Sequence, residues 1–479
     1  MRRVPAAVLA SSLMFLGCTG SGDERPPNVV LLVMDTVRMD HLSCYGYALP
    51  TTPGLDAFAA GADRYTEFRS TSSWTLPSHA SMFTGQFPFQ HGAQCRLDPE
   101  SNRIFDALPL GLHHTTLAEV LSGEGYATGG FVANGAYLGR RFHLDQGFDT
   151  YLERVPGTPA DGPAMNAKAQ AWLDERGEEP FFMFVNYIDA HRPYNVAPLP
   201  PERAASLPPP DGEHPVRLLE ELCYAVLQQE APPPPELVRR VISQYDTALA
   251  NLDLAVAALL EDLEARGLME NTIVVVTSDH GEYFGEHDLV EHSKDVYEEG
   301  LRIPMILKRP GQSAGRVLDE QGSLADLPCM ILSAFPADRR ERLAAQFPCG
   351  GDTTLAELRY TRGKDLNLPY GQRFMRERTV LYEGRHKFIL STDGQHELYD
   401  LAADPKEGAN LFDPEDELSR TLMAMCRRIR AEGESATGRS RPPERSEAEL
   451  ETLRALGYLG EEDGEEEGQE ASAGGTRPR

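Results

Sequence analysis

The chain has 479 residues, and its 46 Lys and Arg against 74 Asp and Glu give a formal charge of −28. Hydrophobic residues make up 41%, enough for one large core or two modest ones, which excludes disorder of the whole chain. The acidity excludes nucleic acid as a partner, since phosphate-backbone binding rests on clustered cations, and seven Cys without a CxxC pair suggest neither a zinc ribbon nor a disulfide scaffold.

From the N-terminus, Arg2 and Arg3 precede an uncharged apolar run from Val4 to Gly17, the pattern of a secretory signal over 1–18. A Cys directly after Leu16-Gly17 looks like a bacterial lipoprotein cleavage site. Cys18 then becomes a lipid anchor in the membrane, and the protein is expected in the periplasm or at the cell surface. Residues 19–27 form a polar tether, and no other segment is apolar enough to span a bilayer.

Four apolar runs read as buried parallel strands: Asn28 to Met34, Tyr126 to Ala133, Phe181 to Val185 and Thr272 to Thr277. Helical patterns lie between them, at Thr116 to Gly123 and at Tyr245 to Leu263, where Leu249, Leu252, Val256, Leu259, Leu260 and Leu263 share one side. This alternation predicts an α/β fold, a doubly wound, mostly parallel sheet flanked by helices, over residues 28–360. Pro-rich stretches at 198–210 and 232–235 bracket a helix in a surface excursion. Short strands at Thr379 to Leu381, Lys387 to Ser391 and Glu397 to Leu401, then a helix near Asp416 to Glu432, predict a smaller C-terminal α+β subdomain over 361–432. Residues 433–479 read as a polar, acidic, largely disordered tail, with a docking helix possible at Ser446 to Leu459.

Chemistry in such sheets sits beyond the carboxyl ends of the strands. There the sequence places Asp35, Asn134, His191, Asp279 and His280, a set of oxygen and nitrogen donors able to hold a divalent cation. Pro77 favours a helix's first turn, leaving Thr75 at or just before the N-cap, where outward amides and the helix dipole favour negative charge. A metal ion together with that dipole could stabilise the Thr75 alkoxide.

Residues 28–47 (NVVLLVMDTVRMDHLSCYGY), Thr52-Pro53-Gly54-Leu55-Asp56, Thr75 to Gly85, and Asp279-His280-Gly281-Glu282 resemble the sulfatase family of the alkaline-phosphatase superfamily. Arg302-Ile303-Pro304-Met305-Ile306 and Glu397-Leu398-Tyr399-Asp400-Leu401 match its later landmarks, in order. The departures bear on mechanism. Sulfatases carry Cys or Ser, oxidised to formylglycine, followed by x-Pro-x-Arg; here those places hold Thr75 and His79. Thr is a secondary alcohol and no substrate for that oxidation, so no formylglycine is expected. Nucleotide phosphodiesterases and phosphoethanolamine transferases of the superfamily use an unmodified Thr there.

The resemblance thus implies Thr75 as nucleophile and ligand of one metal ion, with Asp35, Asp279 and His280 as the other ligands. Calcium, magnesium, manganese and zinc all suit such a set. Thr36 stands where many sulfatases have a second Asp and is not expected to ligate. His191 and His292 occupy places of substrate-contacting His or Lys, and either can protonate the leaving oxygen. Lys294 adds charge, His79 stands at the motif's Arg place, and Asn134 either bonds a substrate oxygen or caps its turn. For His287, Asp189 and Arg38, loop packing or ion pairing is at least as good a reading as a role in the site. The implied reaction is metal-dependent hydrolysis of a small anionic ester, with a phosphodiester or phosphonate monoester favoured. Formylglycine hydrate expels sulfate by C–O cleavage, an exit that a sulfated Thr lacks. The other readings are a sulfate ester hydrolase, a phosphoethanolamine-type transferase, and a catalytically silent binding protein. Cys329–Cys349 is one disulfide open to an oxidising compartment, although sequence alone does not pair the cysteines.

Overall fold

A computed structural model describes residues 25–97, 104–105, 107–155, 158, 160–210, 212, 214–228, 232–349, 353–359, 370–434 and 451. The expected signal, Cys18, most of the tether, and the tail from 435 apart from residue 451 lie outside them. Among the described residues, eight strands form one sheet: β1 (Asn28–Met34), β2 (Asp63–Arg69), β3 (Ala127–Val132), β4 (Thr150–Glu153), β5 (Phe181–Tyr187), β6 (Thr272–Ser278), β7 (Met305–Lys308) and β8 (Arg316–Ser323). Their order is β8-β2-β7-β6-β1-β5-β3-β4. All neighbours are parallel except at β7, which runs antiparallel to both β2 and β6. The four strands expected from their apolar runs are the contiguous neighbours β6, β1, β5 and β3, buried on both faces.

Alternation along β1 divides the core. Val30, Leu32 and Met34 face helix α6 (Pro235–Ala265) through Leu249, Leu252, Val256 and Leu259. Val29, Leu31 and Val33 face the opposite layer, with Leu76, Ala80 and Phe83 of α2 (Thr75–Thr84) and Leu117 and Leu121 of α3 (Leu117–Gly123). The doubly wound α/β expectation is met. Helix α6 starts ten residues earlier than its apolar stripe suggested. Pro235 takes the first helical position, where its missing N–H costs nothing, and Leu237 and Val241 carry the stripe back. The helix between the Pro-rich stretches is α5 (Pro215–Gln228), after α4 (Gly162–Asp174).

Four further strands, β9 (Thr354–Arg359), β10 (Glu377–Glu383), β11 (His386–Ser391) and β12 (Glu397–Asp400), form an antiparallel sheet in chain order. Its first strand lies ahead of residue 360. One face packs on the last long helix, α9 (Glu417–Glu434), through Leu381, Phe388, Leu422 and Cys426. The other covers Val296 and Leu301. Cys329 and Cys349 form a disulfide with Cα atoms 5.7 Å apart. No helix among the described residues is long and apolar enough to cross a membrane.

His91 anchors the back of α2. Its Nδ1 accepts the Ala93 N–H (3.0 Å) and its Nε2 bonds Ser81 Oγ (3.1 Å). Burial, with His114 beside it, pulls its pKa from 6.5 down to about 3. Across that window the unfolded chain takes up a proton that the folded chain refuses, so stability rises with pH and is complete above it. Acidification from about pH 7 to about pH 5 therefore costs about 2 kcal/mol through this one group. Urea midpoints are expected to show that loss in the wild type and a smaller one in His91→Gln. An unchanged acid dependence in the variant would refute this assignment.

Candidate metal centre and active site

The register of the central strands brings the site together. Met34 at the end of β1 lies opposite Ser278 at the end of β6, so the next residues, Asp35 and Asp279, emerge side by side. Asp35 continues the ladder by donating its N–H to Tyr187 O at the end of β5 (2.9 Å). His280 follows Asp279, and the next residue must be Gly because a Cβ on Gly281 would lie 2.0 Å from Glu299 O. Helix α2 then points its first residue, Thr75, at the same place, after an N-cap residue, Trp74, that supplies no side-chain cap. Asp35, Thr75, Asp279 and His280 are all fully buried.

Ligand atoms of Asp35, Asp279 and His280 lie within 4.8 Å of one another. Each carboxylate has one oxygen engaged and one without a hydrogen-bond partner. Asp35 Oδ2 accepts from Asn134 Nδ2 (2.7 Å), while Asp279 Oδ1 accepts from the N–H groups of Thr36 (3.2 Å) and His280 (2.9 Å). Asp35 Oδ1 and Asp279 Oδ2 are the unpartnered ones. His280 Nδ1 lies 2.9 Å from Gly281 O, which can only accept, so Nδ1 carries the proton and Nε2 presents a lone pair. That Nε2 is 3.3 Å from Thr75 Oγ1. Two orphaned carboxylate oxygens, an imidazole lone pair and a hydroxyl fit a divalent cation.

The electrostatics point the same way. Burial first, and then the Asp279 charge, raises the Asp35 pKa well above the carboxylate range; burial raises Asp279 to about 7. A divalent cation between them would reverse that penalty. Burial lowers the His280 pKa and keeps the ring neutral, as a ligand requires.

The remaining expected residues surround this centre. His79 donates Nδ1–H to Thr75 O (2.9 Å), with Nδ1 3.7 Å from Asp279 Oδ2 and its ring against Phe83 and Phe184. Burial holds its pKa at about 3, so a neutral ring occupies the motif's Arg place. Asn134 does two jobs: its Oδ1 accepts Tyr137 N–H (3.3 Å), while its Nδ2 reaches Asp35 and lies 3.5 Å from Thr75 Oγ1. His292 stands between His280 and His191, with ring centroids 4.7 and 5.0 Å away. Burial, and then His292, pushes the His191 pKa well below its ordinary value. Lys294 is buried with Nζ donating to Glu291 Oε2 (2.8 Å), and Arg192 pairs with the same carboxylate. The Thr36 hydroxyl donates to Asp35 O (2.7 Å) and lies 3.0 Å from Ala190 O.

Arg38 pairs with Asp40 and Glu286, Asp189 accepts from Asn195, and His287 lies 3.4 Å from Glu299. Glu282 was not singled out by sequence, although it closes the Asp279–Glu282 stretch. It is fully buried, with Oε1 3.4 Å from His292 Nδ1, and burial raises its pKa. Asn186 was also missed; its Oδ1 accepts Asn134 N–H (2.9 Å). Only its place at the end of β5 hints at this role.

Residues 27–337 match the family described as Sulfatase. Human arylsulfatase A is 28% identical over 371 residues, covering 66% of this chain and 65% of that protein. The ulvan-active sulfatase of Formosa agariphila is 27% identical over 325 residues, covering 60% and 57%. The chain thus spans less than two thirds of either relative's length. Among solved structures, the phosphonate monoester hydrolase of Agrobacterium radiobacter superposes with a TM-score of 0.64 at 20% identity, covering 85% of this chain and 96% of its own. A protein solved with D-glucosamine-2-N,6-O-disulfate gives 0.63 at 19%, covering 86% and 99%.

Proposed function

The chain belongs to the sulfatase family, and on that premise we propose that it is a metal-dependent hydrolase of small singly charged esters, with Thr75 as its nucleophile. The observation that carries this reading is the Thr75 hydroxyl. It starts α2, 3.3 Å from His280 Nε2, beside two carboxylate oxygens that lack partners. Asp35, Asp279, His280 and Thr75 would hold one divalent cation, which would supply positive charge for the alkoxide and for the substrate's oxygens. Thr75 Oγ1, its proton released to solvent, forms the new bond to phosphorus as the ester P–O bond breaks, and His292 delivers a proton to the departing oxygen, while His191, held neutral, packs against the His292 ring. Water then cleaves the Thr75 ester. Asn134 keeps Asp35 aimed and adds a donor near Thr75.

Charge balance supports the substrate class. His79 and His191 are held neutral by burial, and Lys294 and Arg192 meet Glu291. Asp35 and Asp279 together balance a divalent cation. The buried Glu282 carboxyl beside His292 adds acidity at the same place, so a singly charged phosphodiester, phosphonate monoester or sulfate ester suits such a site better than a doubly charged phosphate monoester. The sulfate ester stays as a second reading because relatives such as arylsulfatase A bear that name. The full chain assayed with aryl phosphodiester, phosphonate, phosphate and sulfate substrates, each with calcium, magnesium, manganese or zinc, separates them. Turnover of diester or phosphonate at least about tenfold above sulfate is expected. Turnover confined to aryl sulfate would refute the phosphorus preference.

The signal and the Cys18 anchor belong to the same proposal. Arg25 precedes the start of β1, whereas Asp35 follows its end. A lipid tether at Cys18 would leave the site on the side of the sheet away from the membrane.

A further inference from the structure

The loop that carries His292 and Lys294 is left-handed at two residues with side chains, Glu291 (φ 62°) and Ser293 (φ 60°). Such backbone persists only where the surroundings over-determine it. Two ties come from the segment leading into α2. Ser293 N–H donates to Ser73 O (2.9 Å), and Ser73 Oγ donates to Asp295 O (2.7 Å). A third comes from the C-terminal sheet. At the start of β10, Arg376 Nη2 donates to Asp295 Oδ2 (2.7 Å) and Arg378 Nη1 to Asp295 Oδ1 (3.0 Å). Both arginines are fixed from behind, Arg376 by Asp393 and Arg378 by Glu397. Asp295 is buried, and Val296 beside it packs against Val380 and Ile389 of the same sheet.

We propose that Asp295 is a positioning residue: gripped by Arg376 and Arg378, it holds loop 291–295 in the left-handed form that keeps His292 and Lys294 beside the Thr75 site. The small C-terminal sheet thereby takes part in the reaction while contributing none of the Asp35, Thr75, Asp279 and His280 donors. The inference rests on the reading of His292 and Lys294 as groups that face the substrate.

The test compares wild type, Asp295→Asn, Arg376→Gln and the double variant Asp295→Asn/Ser293→Gly, all as full-length chains loaded with the same metal. Asp295→Asn is expected to speed amide hydrogen exchange in 290–296 by at least about tenfold, because buried charge-assisted bonds are weakened. It should also lower kcat/KM about 10- to 100-fold at unchanged metal content. Arg376→Gln, which leaves one arginine in place, should do the same more mildly and decides the matter if Asp295→Asn does not fold. Glycine at 293 relieves the left-handed backbone, so the double variant should recover part of both losses. Unchanged exchange in the loop would overturn the proposal. So would faster exchange with kcat and KM kept. If the wild type turns over no ester at all, the hydrolase reading fails by itself. Loop exchange and vanadate affinity, expected to fall about tenfold in Asp295→Asn, then judge the clamp.

Discussion

Thr75→Ala is expected to lower kcat/KM by at least about a thousandfold, some 4 kcal/mol of transition-state stabilisation, without loss of fold. The side chain is fully buried at the first position of α2, and its removal leaves the helix-forming backbone untouched. Ala also keeps the β-carbon that packs there, so thermal midpoints should move little. Thr75→Ser retains a hydroxyl at the same place and should keep most of the activity. Steady-state kinetics on the best ester, with metal content measured alongside, check this. Full activity in Thr75→Ala would sink the nucleophile assignment whatever the substrate proves to be.

The second large effect is on metal binding. Asp279→Asn removes a carboxylate whose unpartnered oxygen faces Asp35 and His280, while its other oxygen keeps the Thr36 and His280 amides satisfied. Wild-type protein should be stabilised by its metal by about 3 kcal/mol at a hundredfold excess over Kd, seen as a rise in thermal midpoint. Asp279→Asn should lose nearly all of that rise and at least about a hundredfold in affinity. Stripped of metal, the order reverses. Burial makes the Asp279 charge costly, so the metal-free Asn variant should be at least as stable as the metal-free wild type. A variant that binds metal with wild-type affinity would remove Asp279 from the ligand set.

The order of residues along the chain already exposed the centre of the sheet. Runs such as NVVLLVM and TIVVVTS are apolar on both faces, and only a strand covered on both sides uses that pattern. The edges were illegible for the opposite reason. β8 is mostly exposed, and β2 alternates with charged residues. Polar sequence is compatible with strand or loop, and pairing partners decide between them. In the site, Asp35, Asp279 and His280 were readable because each follows a legible strand. Glu282 and Asn186 were not, since burial beside other polar groups leaves no local signature.

The sequence by itself determined the α/β architecture, the family landmarks and Thr75 in place of Cys or Ser, because contiguous patterns and residue identity carry them. The tertiary structure decided what these residues are. It set the proton of His280 on Nδ1 through Gly281 O, and it made His79 a neutral ring. It gave Asn134 both a capping and an aiming task, and bound Lys294 to Glu291. It also joined Cys329 to Cys349. Protonation state, pairing and aim depend on burial and on neighbours far apart in the chain. Those are properties of packing, which a linear order of residues does not contain.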